Sequence, residues 1–220
     1  VTLTVNPPAP VISSPVSATA VVGSPFTYTI TANNAPTSYG AIGLPTGLIV
    51  NSATGVISGT PSTTGTFTIT LSAFNNGGAG TQTLTLNNIA PPEITTQPQS
   101  QTVNQGATVP FTVVARGTAP LSYQWQFNGT NIANQITDTL TLTSVTTGHI
   151  GSYSVVVSNG AGSVASVIAS LSMLPPQIVV WGRNLYGQNP PFADLSRVVA
   201  IQSDGLNTVA ITSNRTVVAW

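Results

Sequence analysis

Phe67-Thr-Ile-Thr-Leu-Ser-Ala73 decides how this chain folds. Apolar and hydroxyl side chains alternate along it. A period of two puts Phe67, Ile69, Leu71 and Ala73 on one face of a strand and Thr68, Thr70 and Ser72 on the other. β-Branched threonine suits an exposed pleated face and adds no charge. Working outward, Phe26-Thr-Tyr-Thr-Ile-Thr-Ala32 repeats the pattern with Phe26, Tyr28, Ile30 and Ala32, and Leu84 and Leu86 carry it to a last strand. Turn signals punctuate the runs at Asn33-Asn34, Asn51, Gly55, Gly59-Thr-Pro61 and Asn75-Asn-Gly-Gly78. No helical period of useful length appears. Strands with one apolar face need a second sheet to cover it, so an antiparallel β-sandwich is expected.

The pattern returns further along. Phe111, Val113 and Ala115 share a face, as do Tyr123, Trp125 and Phe127, then Leu140 and Leu142, then Tyr153, Val155 and Val157. Three proline pairs, Pro7-Pro8, Pro91-Pro92 and Pro175-Pro176, mark the chain at equal steps, since 91 − 7 = 84 and 175 − 91 = 84. Proline cannot continue a ladder in mid-sheet, so each pair reads as a stiff connector. The expected organisation is all-β: a strand at 1–6 belonging to a preceding module or acting as a donor strand, sandwiches at 7–90 and 91–174, and a different segment at 175–220. In that last segment Val-Val-Trp-Gly around Trp181 is echoed by Val-Val-Ala-Trp ending at Trp220, and 220 − 181 = 39. A period near 40–50 residues is that of propeller blades.

Composition excludes several classes of function. Charged residues make up 4% of the 220 residues, with four bases, four acids and a formal net charge of zero, against roughly 25% in ordinary soluble proteins. Nothing here neutralises a run of phosphates or holds an anionic bilayer, so neither nucleic acid nor membrane insertion is expected. No apolar run reaches the roughly 18 residues of a membrane helix. Cysteine is absent, which removes disulfides, thiolate nucleophiles and Cys-bound metal. His149 is the sole histidine, and a Ser-His-Asp arrangement would need it to meet Asp138, with no Gly-x-Ser-x-Gly elbow to supply the nucleophile. Gly78-Ala-Gly80 and Gly160-Ala-Gly162 lack a following helix and read as hairpin turns, not phosphate cradles. Asn128-Gly-Thr130 and Asn214-Arg-Thr216 match the N-glycosylation pattern and read equally as plain turns. No catalytic residue, cofactor or metal is expected.

Two longer motifs carry resemblances. Leu44-Pro-Thr-Gly-Leu48, Thr54-Gly-Val-Ile-Ser-Gly-Thr-Pro61 and Gly65 resemble the cadherin-like immunoglobulin modules of bacterial surface proteins. That family implies a structural or adhesive module without catalytic residues, and the acid-free stretch here leaves no cadherin-type calcium site. Leu121-Ser-Tyr-Gln-Trp-Gln-Phe-Asn-Gly129, with Thr139-Leu-Thr-Leu142 and Gly151-Ser-Tyr-Ser-Val155, resembles an intermediate-type immunoglobulin domain. The resemblance implies that Trp125 is the core tryptophan, that Tyr153 is the tyrosine-corner residue, and that Val113 and Val155 replace the inter-sheet disulfide. The stretches around Trp181-Gly182, Ala200-Ile201 and Val209-Ala-Ile211 resemble one repeat of the regulator-of-chromosome-condensation propeller family. One such repeat does not close a propeller.

The functional expectation is a non-enzymatic extracellular or cell-surface module: a stalk, adhesin segment or filament subunit. Val1, Leu3 and Val5 at one end and Val217 and Trp220 at the other are candidate assembly strands for head-to-tail association by strand addition. The expected partners are other protein chains, including copies of this one, or surface glycans. The alternative is a carbohydrate- or protein-binding module using loops such as Asn128–Gln135 with Tyr39 or Trp181, or the accessory region of a larger secreted enzyme.

Overall fold

The computed structural model describes residues 6–174, 198–203, 208–212 and 217–219. The first sandwich holds β1 (Ser17–Val21), β2 (Phe26–Thr29), β3 (Ser38–Ile42), β4 (Leu48–Val50), β5 (Val56–Gly59), β6 (Gly65–Asn75) and β7 (Gly78–Ile89). One sheet runs β1-β7-β6-β3 and the other β2-β5-β4. Strand β1 lies parallel to β7, and the remaining pairs are antiparallel. The alternation at 67–73 has the expected consequence: Ile69, Leu71 and Ala73 are fully buried, in one core with Tyr28 and Ile57 of the other sheet and with Ile30 just past β2. Phe26 and Phe67 lie half-buried at the margin of this core.

The second sandwich holds β8 (Glu93–Thr96), β9 (Gln101–Val103), β10 (Val109–Thr112), β11 (Val114–Arg116), β12 (Ser122–Phe127), β13 (Thr130–Asn131), β14 (Thr139–Leu142), β15 (Gly151–Asn159), β16 (Gly162–Ala165) and β17 (Ala169–Met173). Its larger sheet runs β13-β12-β15-β17-β9, with β16 on the edge of β15. The β10–β14 and β11–β8 pairs form the opposing layer. A single 3-10 turn, Thr147–His149, precedes β15. Beyond it, β18 (Val198–Ser203), β19 (Thr208–Thr212) and β20 (Val217–Ala219) make an antiparallel meander. Val1, Leu3, Val5, Trp181 and Trp220 lie outside the described residues.

Two sequence expectations are corrected. Gly78-Ala-Gly80 is not a turn. Asn75 pairs with Gly78, so Asn76-Gly77 turns the hairpin and Gly80 already lies in β7 opposite Ala73. Tyr39 is not a free surface ring either. It is half-buried against the first core, packed on Gly55. Its alternation partner on β6 is Ala73, which leaves room for an aromatic ring turned inward.

Candidate functional site

Chemistry-bearing side chains are not gathered anywhere among the described residues. No group of three or more His, Asp or Glu is placed to hold a metal there. The ion pair among them, Arg116 to Glu93 at 2.8 Å, is largely exposed on both sides, so it adds little to stability. His149 closes the 3-10 turn, where its Nδ1 lies 3.0 Å from the Thr146 backbone N–H. Its bonds go to Thr146, not to Asp138.

His149 does serve the fold through its carbonyl, which accepts the Tyr153 hydroxyl at 2.7 Å. That bond is the tyrosine corner. Burial raises the Tyr153 phenol above its ordinary value of 10.0, because a charged phenolate would lose its water here. Around it Phe111 stacks at 4.8 Å and Phe127 packs at 5.0 Å between ring centroids. Trp125 is fully buried, 6.3 Å from Phe111, and donates Nε1–H to the Thr137 carbonyl at 2.9 Å. Val155 sits directly across the ladder from Trp125, and Val113 is buried in the same cluster. All of this is core, held away from ligands.

The Asn128–Gln135 stretch is a hairpin folded back on β12, not an open loop. Trp125 donates its backbone N–H to Gln135, and Ile132 donates to the Trp125 carbonyl. Asn128 turns it with φ 48° and Gly129 with φ 80°, and the Asn128 Oδ1 is held by the Ser152 N–H at 2.9 Å.

The built feature of the molecule lies at the junction of the two sandwiches. Only Ala90-Pro91-Pro92 separates β7 from β8. Asn159, at the end of β15, donates Nδ2–H to the Ala90 carbonyl at 2.8 Å and to the Thr118 carbonyl at 2.9 Å, and its Oδ1 accepts the Ala161 N–H at 2.9 Å. Thr118 adds its Oγ1 as acceptor for the Ala90 N–H at 2.7 Å. One side chain thus ties the linker, the loop before β12 and its own hairpin together.

The same clamp stands in the first sandwich. Asn75, at the end of β6, donates Nδ2–H to the Pro8 carbonyl at 2.8 Å and to the Asn34 carbonyl at 2.7 Å, and its Oδ1 accepts the Gly77 N–H at 2.7 Å. The register is that of the proline pairs: 159 − 75 = 84, 118 − 34 = 84 and 161 − 77 = 84. The linker carbonyl differs, since 90 − 8 = 82. Glycine is required at 77, because a Cβ there would collide with the Pro7 carbonyl. Sequence reading missed both clamps. The legible signal was Asn-x-x-Gly at 75–78 and again at 159–162, each closing a long hairpin.

Residues 91–159 match the family model described as "Immunoglobulin domain", and residues 9–89 match the one described as "Putative Ig domain". The chain carries two immunoglobulin-like domains in tandem. Among solved structures, the immunoglobulin-like pair is similar to the I-band fragment I67–I69 of titin (20% identity, TM-score 0.58, covering 78% of this chain and 67% of that one). It is also similar to extracellular domains 3–5 of Drosophila OTK (18% identity, TM-score 0.62, covering 74% and 61%). A third likeness is to the insect immune protein hemolin (15% identity, TM-score 0.51, covering 74% and 46%). The chain spans about half to two thirds of the length of these structures. At such identities the likeness is one of fold. No curated protein matches the chain. No helix among the described residues is long and apolar enough to cross a membrane.

Proposed function

We propose that the chain is a non-enzymatic structural and adhesive segment of an extracellular or cell-surface protein, in which a clamped joint sets the direction from one immunoglobulin-like domain to the next. The observation that carries this reading is the clamp repeated 84 residues apart. A short proline linker fixed by side-chain bonds converts two domains on a string into a spacer of defined course. In this reading 7–90 and 91–174 are the domain units. Trp125, Tyr153, Val113 and Val155 in one, and Phe26, Tyr28, Phe67 and Ile69 in the other, are structural residues.

The joint is tested with one label in each domain. The chain has no cysteine, so Ser52→Cys and Ser163→Cys, both at exposed positions, accept spin labels without competition. Pulsed electron–electron resonance should give one narrow distance distribution. A broad one overturns the reading.

The adhesive part concerns partners: other protein chains, copies of this chain joined by strand addition, or surface glycans. The printed title of the hemolin structure speaks of homophilic adhesion for that protein, and a like role is proposed here. The near absence of charge supports it, since sheet edges are ordinarily shielded by charge. Membership of a bacterial surface protein, and a propeller-type repeat at 175–220, belong to the same proposal. Beads coated with the chain should cluster or be retained on surface proteins or a glycan array. Beads that do none of these remove the adhesive part and leave a spacer.

A further inference from the structure

The joint between the two domains has a donor side and a receiving side. Thr19, Asn87 and Ile89 of the first domain and Thr118, Pro120 and Asn159 of the second line a shared crevice of about 450 Å³. Ile89 is 8% exposed yet belongs to neither domain core. It is covered at the joint, where the Cβ position of Gly160 lies 3.5 Å from its Cδ1. The receiving side is therefore the Thr118-Ala-Pro120 loop together with the Asn159-Gly160 turn.

Subtracting 84 gives Asn34-Ala-Pro36 and Asn75-Asn76 on the first domain, with Ala-Pro kept in the same place. The clamp there is already closed on Pro8. A second tie holds the incoming segment, from Asn34 Nδ2 to the Ala9 carbonyl at 2.8 Å. Ala35 and Asn76 are exposed, as their counterparts Ala119 and Gly160 are at the occupied joint; Gly77 lies against the Pro7 carbonyl, and the neighbouring Phe74 is 41% exposed. The donor side also repeats in the sequence. An apolar residue stands three places before the second proline of each pair: Val5 before Pro8, Ile89 before Pro92 and Met173 before Pro176. A Cβ at position 160 would meet Ile89 Cδ1 at 3.5 Å, an ordinary contact, so the β-carbon of the residue at 76 is compatible with such a neighbour.

We propose that Asn34–Pro36 and Asn75–Gly77 form a docking surface for the last-strand end of another immunoglobulin-like domain, joined in front through Pro7-Pro8 with the clamped carbonyl two residues further along the linker than at the natural joint. This rests on the reading of the joint given above.

The test adds a copy of residues 6–89 directly ahead of Asn6 in the full chain. The final Ile of the copy then takes the place of Val5 and the three-residue linker length is kept. Labels at the Ser52 position of the copy and at Ala79→Cys reproduce the natural Ser52/Ser163 pair, because 163 − 79 = 84. The added joint should give a distance distribution as narrow as the natural one, its centre displaced by the two-residue offset of the clamped linker carbonyl. Asn75→Ala should broaden it. A Gly-Ser insertion ahead of Asn6 should do the same without touching either domain, which covers the case of a variant that fails to fold. A narrow natural joint with a broad added joint, or an added joint indifferent to both changes, overturns the inference alone. Breadth at both joints overturns the reading beneath it.

Discussion

Replacing Trp125 with Ala should bring the second domain close to unfolding and leave the first unaffected. The indole is fully buried among Phe111, Val155 and the rest of the second cluster, and truncating a buried Trp costs about 3–5 kcal/mol through lost transfer energy and the cavity left behind. The Nε1–H bond to Thr137 is a smaller matter. Thr137 is exposed, so water replaces the lost donor and the net loss is about 1 kcal/mol at most. The cavity decides the outcome. A domain of this size has roughly 4–12 kcal/mol in total, at about 0.05–0.15 kcal/mol per residue, and this one has no disulfide to restrain its unfolded state. The variant therefore sits at the edge of folding. The two cores share no residue, so the first domain should keep its stability. Urea unfolding followed by amide NMR reports each domain separately. The second-domain midpoint should fall by about 1–5 M, given slopes of about 1–3 kcal/mol per M, while first-domain amides keep theirs. Equal shifts in both domains, or a second-domain shift below about 0.5 M, would refute the reasoning.

Tyr153→Phe should cost the second domain about 1–2 kcal/mol by orphaning the His149 carbonyl. It should also change the alkaline limb. The folded phenol titrates above 10.0, so its contribution is whole below that pH and is lost as pH rises through the folded value. Wild type should weaken there and the Phe variant should lack that component, read by urea midpoints across the range. Asn159→Ala removes two donors and an acceptor and should lower second-domain stability by about 2–3 kcal/mol, with a broader Ser52/Ser163 distance distribution. Gly77→Ala should displace the Pro7 segment, seen as shifted amide resonances at Asn6, Ala9 and Val11 while second-domain resonances hold.

Strands, sheet faces and cores were open to sequence reading because burial follows a period of two. Ile69 and Leu71 are buried and Thr68 and Thr70 are not, as the alternation requires. The aromatic landmarks were legible through the resemblance of their strands to an intermediate-type immunoglobulin domain, and Trp125 and Tyr153 are both buried. The clamps were not legible. An asparagine near a hairpin reads as a turn residue, and its long-range bonds, such as Asn159 to Ala90, join positions far apart in the chain that only the closed sandwich brings together. Tyr39 was misread because its strand lacks strict alternation: Ser38, Tyr39, Gly40 and Ala41 are all half-buried.

The side-chain amides of Asn75 and Asn159 carry the account most directly. In a nitrogen-edited spectrum both Nδ2 groups should exchange slowly with solvent and show contacts to the Pro8 and Ala90 α-protons respectively. Fast exchange at either one, as for a free surface asparagine, would contradict a joint locked by that residue.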